Sequence, residues 1–380
     1  MIEILFWISL IIVLYVYIGY PIIAYGIAML FNRRVKKGSA TPFVTVLIAA
    51  FNEQAVIEAT IRNKLNQNYP EDRLEVLVVS DNSSDKTDDI VHGIKDARVR
   101  LIRQESRAGK TSALNLAIPQ AKGEIIIFSD ANSLYAPDTI RKLVTNFFDP
   151  LVGYVTGRMI YASTDGTMVG DGCSAYMKYE NRLREIETRL GSIVGVDGGV
   201  DAVLKRLYHP MKNDQLPDLV LPLKVIAQNH RVVYETEAIL WENSLNETSD
   251  EYRMRVRVSL RALWALFYMR ELLWFRKNLL FSWQLWSHKV LRYLCFLFLV
   301  LLLYSNFRLF WKNFFYQAFF CIQVIGYVGA IAEPVMARKV RNLKLLRFAR
   351  YFVLINFAAA HAFIKFLAGK KQVLWTPRKG

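Results

Sequence analysis

Three short polar runs, each directly after an apolar run, hold the side chains best suited to chemistry. The apolar run 43–50 passes into "FNE", the run 74–79 into "SDNSSDKT" and the run 124–128 into "SDANS". Carboxylates such as Asp81 and Asp130 can bind cations, accept protons or accept hydrogen bonds. A single Asp at the end of a strand also commonly caps a helix or a turn, and that simpler interpretation stays open for each of them.

The elements around these runs repeat one pattern, a strand-like segment followed by a helical one. Four such repeats predict an α/β domain with a mostly parallel, doubly wound sheet. In such a sheet, ligands bind outside the carboxyl ends of the strands, so we expect the polar runs to face one crevice. The predicted strands are 43–50, 74–81, 99–104 and 124–131, and the predicted helices are 54–67, 86–96, 109–121 and 136–148.

The first strand is not followed by a glycine-rich phosphate loop. Neither GxGxxG nor GxxxxGK occurs there, so the phosphate cradle of a dinucleotide-dependent dehydrogenase or of a P-loop NTPase is missing. A divalent cation at Asp130 would supply the missing positive charge, because hard cations take oxygen ligands and bridge to phosphate oxygens. The pattern therefore indicates a cation-assisted site for a phosphorylated ligand.

Apolar blocks at both ends of the chain indicate a membrane protein. The 380 residues are 53% hydrophobic, which is high for an ordinary soluble domain. Ile2–Phe31 carries Glu3 as its only charge and is long enough to cross a bilayer as a helix. A cleaved signal peptide is the alternative, but the run is about twice the usual length and no basic residues precede it. Further apolar blocks are Val290–Ser305, Phe314–Ala332 and Tyr351–Leu367.

Basic residues gather beside the apolar blocks and predict the orientation. "NRRVKK" at 32–37 follows the first block, which by the positive-inside rule places the central domain in the cytoplasm at the cell membrane. The net charge of +16 comes largely from such clusters, which fit anionic lipid headgroups better than nucleic acid. Crossings at 289–305 and 314–333 suit this orientation. Whether 346–367 spans the membrane or lies in its interface stays open.

In their order along the chain, the polar runs resemble the membrane-integrated inverting glycosyltransferases of family 2, which have a GT-A fold. The family's opening strand with its N-E pair is here "VLIAAFNE", its DxSxDxT is "DNSSDKT", its GKxxALN is "GKTSALN", and its metal-binding DxD is "DAN". The resemblance covers nearly the whole chain. It implies a GT-A domain inserted between transmembrane helices, and a nucleotide sugar, most simply UDP-linked, as the donor.

The resemblance also implies roles on the donor side. Asp81 would accept a hydrogen bond from the nucleobase, and Lys110 would lie against the donor, its charge complementing phosphate. Asp130 and Asn132 would bind Mn²⁺ or Mg²⁺, with Asn132 as a neutral ligand where many members have a second Asp. The complete predicted nucleotide-binding set is Ala50, Asn52, Glu53, Asp81 and Lys110.

On the acceptor side, the resemblance assigns the catalytic base. An inverting transfer needs one carboxylate to take the proton of the acceptor hydroxyl during attack on the anomeric carbon. Asp218 occupies the position of that base, although Pro217 replaces the acid that usually precedes it, and Asp214 is a weaker contender. Asp218 could alternatively cap the helix predicted at 219–227. Gly198 and Gly199 would let the acceptor approach the backbone, or belong to a plain strand and turn.

A later basic segment determines how closely the chain resembles processive synthases. The run 250–275 has the pattern of an amphipathic helix at the membrane surface. Processive relatives carry QxxRW there; here Arg257 matches the Arg as a possible diphosphate contact, whereas the Gln and Trp are absent. The predicted organisation is an N-terminal transmembrane helix (1–32), a GT-A domain (33–250), interface helices (251–287), C-terminal transmembrane or interfacial helices (288–367) and a basic tail (368–380).

Three functions remain to be weighed. The first is a metal-dependent transferase that moves a sugar onto a lipid-linked or growing glycan acceptor in cell-surface polysaccharide synthesis. The second is a processive synthase that also secretes its polymer, which the missing Gln and Trp disfavour. The third is a non-catalytic nucleotide-binding regulatory subunit, which the retained Asp81, Lys110, Asp130 and Asp218 disfavour. The sequence does not specify the sugar, the acceptor or the oligomeric state.

Overall fold

The computed structural model of the protein describes residues 1–162, 168–243, 248–276, 278–332 and 344–373. The chain divides into two compact units, each built from separate parts of the sequence. The helical unit contains Met1–Ile27, Ser163–Leu183 and Ser244–Lys371, and the sheet unit contains Ala28–Ala162, Arg184–Asn243 and Gln372–Gly380. The segment Ser163–Leu183, which lies inside the predicted 33–250 domain, thus groups with the helices.

The sheet unit is built on one mixed sheet of eight strands among the described residues. The strand order is β3-β2-β1-β4-β7-β6-β8-β5. Four neighbouring pairs are parallel and three, all involving β5 or β7, are antiparallel. The strands are β1 (Val44–Ala50), β2 (Leu74–Ser80), β3 (Val99–Arg103), β4 (Ile125–Asp130), β5 (Leu134–Tyr135), β6 (Val152–Ala162), β7 (Val200–Leu204) and β8 (Arg231–Asn243).

Helices cover the sheet and form the second unit. Short 3-10 and π turns join several of them. In chain order the α-helices are α1 (Ile2–Leu14), α2 (Tyr20–Phe31), α3 (Ile57–Leu65), α4 (Thr87–Gly93), α5 (Lys110–Ala117), α6 (Thr139–Val144), α7 (Met168–Leu190), α8 (Pro217–Ala227), α9 (Thr248–Tyr268), α10 (Leu279–Leu285), α11 (Leu291–Tyr293), α12 (Cys295–Leu309), α13 (Phe314–Ala332) and α14 (Lys344–Leu367).

The four predicted strand-to-helix repeats are confirmed as β1-α3, β2-α4, β3-α5 and β4-α6. Central strands are apolar on both faces because helices cover both, and Val46, Ile48 and Ile127 are fully buried. The helices are shorter than predicted. The helix predicted at 109–121, for example, ends at Ala117 and passes into a 3-10 turn that contains Pro119, since proline lacks the N–H that continues an α-helix.

Among the described residues, three helices are long and apolar enough to cross a membrane, or four if one bent pair counts as a span. The first is Ile2–Phe31, in which a π turn at Tyr15–Gly19 joins α1 to α2. The others are Phe314–Ala332 and Leu346–Leu367, and the bent pair is Leu279–Tyr293 with Cys295–Leu309. Many large apolar side chains on these helices are exposed, as expected of helices that contact lipid.

The amphipathic segment predicted at 250–275 is only partly one helix. Helix α9 ends at Tyr268, and a 3-10 turn covers Arg270–Leu273. The hydroxyl of Ser282 donates to the carbonyl of Leu272 and the indole of Trp286 donates to that of Leu273, so side chains pair with carbonyls at the end of this 3-10 turn. The apolar face of α9, including Val256 and Leu260, packs on Ala358 and Ala362 of α14.

Candidate active site

The ends of β1 and β2 are tied to each other by side chains. Asn52, with φ of 56°, lies in the left-handed region that Asn tolerates better than most residues. Its backbone N–H donates to the Ser83 hydroxyl at 3.2 Å, and its side-chain oxygen accepts from the Ser84 N–H at 2.8 Å. The N–H of Glu53 donates to the Thr87 hydroxyl at 2.8 Å. The two loops predicted to bind nucleotide therefore form one hydrogen-bonded structure.

Asp81, the predicted nucleobase ligand, is fully buried and hydrogen-bonded within the protein. Its carboxylate accepts from the side chain of Gln104 at 2.6 Å and from the backbone N–H groups of Ala108 at 2.8 Å and Gly109 at 3.0 Å. Its own N–H donates to the carbonyl of Ala50, another predicted nucleotide ligand, at 2.8 Å. Asp81 thus anchors the loop that leads into α5, as the simpler turn-capping interpretation expects.

The loop in front of α5 has further contacts within the sheet unit. The guanidinium of Arg107 lies 3.7 Å from the centre of the Phe51 ring, a cation–π contact that joins this loop to the end of β1. Gly109 has φ of +94°, in the left-handed region, and the carbonyl of Val373 lies 3.1 Å from where a Cβ of Gly109 would be. Val373, which follows α14 in the chain, therefore packs against this loop.

Lys110, Asp130 and Asp218 meet at the carboxyl end of the sheet. The ammonium of Lys110 donates to Asp130 Oδ1 at 2.8 Å and lies 3.8 Å from Asp218 Oδ1. The Asp130 and Asp218 side chains are 37% and 33% exposed, in contrast to the buried Asp81. Burial favours the neutral amine, but the two carboxylates outweigh it and hold the pKa of Lys110 above its ordinary value. Two partly exposed carboxylates thus share one fixed cation.

Lys110, Asp130 and Asp218, here called the triad, each lie on a different element. Asp130 is the last residue of β4 and pairs with Ala49 of β1, and Lys110 is the first residue of α5. Helix α8 begins at Pro217, whose missing N–H costs nothing at a first helical position, so Asp218 lies inside the first turn and Leu216 is the N-cap. The interpretation of Asp218 as the helix cap is therefore wrong, although its charge still suits a helix N-terminus.

The two glycines predicted on the acceptor side pack against these carboxylates. Gly198 has φ of +85°, and a Cβ built on it would lie 2.5 Å from Cγ of Asp218. A Cβ on Gly199 would lie 2.9 Å from Leu240 and 3.6 Å from Oδ2 of Asp130. Any larger residue at Gly198 would displace the Asp218 carboxylate, so the glycine pair determines the space around both acids.

Helix α3 donates hydrogen bonds to the loop that follows β4, called the DAN loop after residues 130–132. The sequence did not indicate this contact. Thr60 donates its hydroxyl to the carbonyl of Ala131 at 2.6 Å, and the buried Lys64 donates to the carbonyl of Ser133 at 2.6 Å. The Lys64 ammonium also lies 3.6 Å from the centre of the Tyr135 ring. Burial lowers the pKa of Lys64 well below its ordinary value, against the attraction of Asp130. In "IRNKLNQ" this Lys looks like an ordinary surface residue of an amphipathic helix.

Asp201 of β7 is a second residue that the sequence did not single out. Its carboxylate is buried and accepts from the Tyr154 hydroxyl and from the Gly198 N–H, each at 3.0 Å. Burial, together with the charges of Asp218 and Asp197, raises the pKa of Asp201 to about 7. Asp201 therefore positions Gly198, and through it the space around Asp218. In the sequence, only the run "DGGVD" at 197–201 could have pointed to Asp201.

The donor set around Asp130 fits a cation that is shared with a ligand. In the described part of the chain, no group of three or more His, Cys, Asp or Glu side chains could hold a metal ion by itself. Asp130 offers a partly exposed carboxylate at a strand end, and Asn132 follows it in the turn. Mg²⁺ and Mn²⁺ suit such a sparse set, because Mg²⁺ usually binds one or two carboxylates and completes its shell with water and phosphate.

Two predicted residues lie outside this set. Asp214 is half-buried in the turn before α8. Arg257, the predicted diphosphate contact, is half-buried on α9 and belongs to the helical unit. Its role stays a prediction.

A mixed α/β sheet with an acidic strand end, a Lys and a second acid at its carboxyl end agrees with the expected GT-A fold. Residues 45–198 match the family model "Glycosyl transferase family 2". The resemblance to family 2 inferred from the motifs is confirmed over this range. The matched range includes all the predicted nucleotide and metal ligands.

Among curated proteins, the chain is 36% identical to a beta-monoglucosyldiacylglycerol synthase of Trichormus variabilis over 40% of its own length and 33% of the relative's. It is 26% identical to a poly-beta-1,6-N-acetyl-D-glucosamine synthase of Staphylococcus aureus over 56% of its length and 53% of the relative's. The chain thus spans between a third and just over half of these relatives.

A solved structure of another protein resembles nearly the whole chain. It is the mannosyltransferase PcManGT from Pyrobaculum calidifontis, solved in complex with GDP-Man and Mn²⁺. The TM-score is 0.73 at 21% identity, over 96% of this chain and 99% of the other. This likeness confirms the GT-A fold with its flanking helices.

Proposed function

We propose that the protein is a metal-dependent inverting glycosyltransferase that works at the cytosolic face of the cell membrane. It transfers a sugar from a nucleotide sugar, UDP-linked by the resemblance of its motifs, to a lipid-linked or growing glycan acceptor. The observation that carries the proposal is the triad of Asp130, Lys110 and Asp218, in which one cation lies 2.8 and 3.8 Å from two partly exposed carboxylates.

Asp218 serves as the general base in this proposal. As the acceptor hydroxyl attacks the anomeric carbon, the bond to the nucleoside diphosphate breaks and the hydroxyl proton passes to a carboxylate oxygen of Asp218. Proton transfer to a positioned side chain typically contributes about 10² to 10⁴ in rate. Gly198 keeps the neighbouring space open, because any side chain there would collide with the Asp218 carboxylate.

Lys110 lies between the proposed metal ligand Asp130 and the proposed base Asp218. Its ammonium is held by Asp130 and faces Asp218, so it carries a fixed positive charge at the crevice when no donor is bound. A preorganised charge of this kind stabilises the diphosphate as negative charge develops on it, without reorganisation at the moment of reaction.

Asp130 and Asn132 would hold the divalent cation. When bound, the cation neutralises charge on the departing diphosphate. Helix α3 fixes the loop that presents the two ligands, through the contacts of Thr60 and Lys64 to the carbonyls of Ala131 and Ser133. Mn²⁺ in the complex of the Pyrobaculum mannosyltransferase supports the same kind of cation here.

The nucleotide pocket would form between the ends of β1 and β2 and the loop before α5. A nucleobase that bonds to Asp81 would do so at Oδ2, because Oδ1 already accepts from Gln104, Ala108 and Gly109. Asn52 and Glu53 line the other side of this pocket through the loop they share with Ser83 and Thr87.

The proposed acceptor and membrane location are supported by the apolar helices near both ends of the chain and by the names of the curated relatives. Helices long and apolar enough to cross a membrane lie before and after the catalytic segments. The basic residues at 32–37 support a cytoplasmic location of the sheet unit, by the positive-inside rule. The named products of the curated relatives, a glycolipid and a polysaccharide, support a lipid-linked or glycan acceptor.

Nucleotide release by the purified full chain tests the proposal. The protein is incubated with a panel of UDP- and GDP-sugars in Mn²⁺, Mg²⁺ or EDTA, beside Asp218→Asn and the matched control Asp214→Asn. We expect one donor to be turned over only with a divalent cation, Asp218→Asn to lose at least about 100-fold of the rate, and Asp214→Asn to keep it.

Two results would contradict the proposal. Cation-independent turnover would remove the assigned role of Asp130 and Asn132. No turnover of any donor, with native membrane lipids added back, would leave a nucleotide-binding subunit as the better account.

A further inference from the structure

The sheet unit carries a surface that combines exposed cations with exposed apolar side chains. Three segments form it: the residues just after α2, the loop at 145–151 before β6 and the last turn of α7. The sequence shows only the first of them as a basic cluster, whereas the structure adds the other two. The exposed side chains of this surface are Arg33, Arg34, Lys36, Phe148, Leu151 and Arg189.

Backbone contacts join the three segments. The N–H of Arg33 donates to the carbonyl of Arg189 at 2.8 Å. The guanidinium of Arg231 donates to the carbonyl of Arg33 at 2.9 Å, and the N–H of Arg231 donates to the carbonyl of Leu151 at 2.6 Å. The cations and the loop before β6 therefore belong to one connected surface.

Two large apolar side chains are exposed beside these cations. Phe148 is 61% exposed and Leu151 is 58% exposed. The Phe148 ring packs over Gly38, where an added Cβ would collide with the ring, so the ring is held in place although it is exposed. Exposed apolar side chains that are grouped on one surface mark a contact with another protein or with a membrane.

The surface has an excess of positive charge. Two carboxylates lie against it, and each is already ion-paired: Asp149 with Arg231, and the buried Glu235 with Lys37. Within the described ranges of the chain, the four exposed cations of the surface form no ion pair with an Asp or Glu side chain. The surface therefore suits an anionic partner.

The course of the chain indicates which partner this is. Helix α2 ends the first helix that is long and apolar enough to cross a membrane, and Arg33 follows its last residue, Phe31, by two positions. With that helix in the bilayer, the residues just after it lie at the lipid headgroups, and the loop at 145–151 contacts these residues. Cations around exposed apolar side chains are typical of surfaces that bind anionic bilayers.

We propose that this surface is a further membrane contact of the sheet unit, in which the four cations bind anionic lipid headgroups and Phe148 and Leu151 insert among the lipids. The proposal rests on the membrane location within the proposed function and not on the transfer reaction. A neutral bilayer would leave the cations unmatched, and a purely acidic partner would leave the two apolar side chains in water.

Electron paramagnetic resonance of a spin label at Leu151→Cys tests the proposal in the full chain. The protein is placed in nanodiscs of phosphatidylcholine, alone or mixed with phosphatidylglycerol. Collisions of the label with oxygen and with a water-soluble nickel chelate are compared. We expect the label to lie among lipids, with more oxygen and less nickel contact, and we expect this preference to grow with the fraction of phosphatidylglycerol. The labelled unmodified protein gives the contribution of the native cysteines.

Two control positions separate this proposal from the membrane location on which it rests. Leu116→Cys labels an exposed Leu on α5 and should report water in both kinds of nanodisc. Ile325→Cys labels an exposed residue of the candidate span Phe314–Ala332 and should report lipid in both. A water-exposed label at Ile325 would contradict the membrane location itself. Lipid at Ile325 with water at Leu151 would overturn only the proposed surface.

A double variant assigns the headgroup contact to the cations. With the label at Leu151→Cys, Arg34→Gln and Lys36→Gln together should lower the ratio of lipid-contacting to water-exposed label, about fivefold for each cation and so roughly 25-fold for both. Salt at about 1 M should have a similar effect, because it screens exposed charges. The matched control is Lys95→Gln with Lys122→Gln, two exposed lysines of the same unit, which should leave the ratio unchanged.

Three further results would overturn the proposal. A lipid contact at Leu151 that does not depend on phosphatidylglycerol would remove the anionic headgroup from the account. An equal loss in the control pair would show a general effect of charge and not a surface. Lipid contact at Leu116 as strong as at Leu151 would show that the contact is not specific to the loop before β6.

Discussion

The two acidic regions at the carboxyl end of the sheet look alike in sequence and differ in structure. At the ends of β1 and β2, the carboxylates are consumed by internal hydrogen bonds: Asp81 is buried with three donors, and Asp85 accepts from Thr87 and Gln54. At the end of β4 and in the first turn of α8, Asp130 and Asp218 are partly exposed, and the Lys110 ammonium lies 2.8 and 3.8 Å from their carboxylates. We infer that the first region shapes the site and that the second performs the chemistry.

The difference follows from what each carboxylate can still do. A carboxylate that accepts several backbone N–H bonds is stabilised as an anion and has little capacity left to take up a proton or bind a metal ion. A partly exposed carboxylate that is ion-paired with a Lys can exchange that partner for a metal or a proton. An acid at a strand end is therefore a guide to function only after its hydrogen bonds have been counted.

Among the variants that keep Lys110, Asp130 and Asp218, replacement of Gly198 by Ala should give the largest loss of turnover. The added Cβ would lie 2.5 Å from Cγ of Asp218 at a residue with φ of +85°, so the carboxylate must move. We expect turnover to fall about 100-fold, because small misplacements of a reacting group cost about this much. Gly93→Ala is the matched control, since its Cβ meets nothing within 4 Å. An unchanged rate in Gly198→Ala would refute the assigned geometry.

Replacement of Lys64 by Met should give a smaller loss at the same site. The change leaves the carbonyl of Ser133 without its donor and loosens the loop that carries Asp130 and Asn132. We expect about a tenfold lower turnover at limiting cation and partial recovery when the cation concentration is raised. The control Arg62→Met, on the exposed side of the same helix, should titrate with the cation as the unmodified protein does. A Lys64→Met rate equal to that of the control would contradict the positioning role.

In the shaping region, replacement of Asp85 by Ala should affect stability more than turnover. It removes hydrogen bonds to the N–H of Gln54 and to the N–H and hydroxyl of Thr87. We expect a loss of roughly 2 kcal/mol in the free energy of unfolding, seen as a lower thermal midpoint, with turnover at low temperature within about twofold. The exposed Asp89→Ala is the control. A large loss of turnover at an unchanged midpoint would make Asp85 part of the chemistry.

The last expected effect is a pH dependence of stability, caused by Asp201. Its pKa is about 7 in the folded protein and 3.8 ordinarily, so between these values the folded state holds a proton that the unfolded state has lost. Stability therefore falls as pH rises from about 4 to about 7, by at most ~1.4 kcal/mol per pH unit, and then levels off. Thermal midpoints of the protein and of Asp201→Asn should converge or cross in that range. A difference that is constant from pH 5 to 8 would contradict the raised pKa.

The sequence was sufficient to predict the parallel half of the sheet and the members of the triad. Apolar runs with helical segments between them predicted β1 to β4, and the motifs singled out Lys110, Asp130 and Asp218, which the fold brings together. These features depend on local periodicity and on residue types at fixed spacing. Both can be read without knowing which strands pair.

The rest of the site depends on contacts between segments that lie far apart in the sequence. The antiparallel pairing of β4 with β7 brings Asp201 and Gly198 to the triad, and nothing in the local pattern of 191–208 indicates that register. Lys64 looks like a surface residue until α3 is packed under the DAN loop. The internal hydrogen bonds of Asp81 likewise depend on where the loop at 104–109 folds.

The most direct test of the account measures turnover and thermal midpoint together for Asp218→Asn and Asp85→Ala, on the same preparations and with the same donor. The account predicts opposite results: Asp218→Asn loses at least about 100-fold in turnover at an unchanged midpoint, and Asp85→Ala keeps its turnover at a lowered midpoint. Comparable losses of turnover in both variants, or full activity in Asp218→Asn, would contradict the division between a region that shapes the site and a region that performs the chemistry.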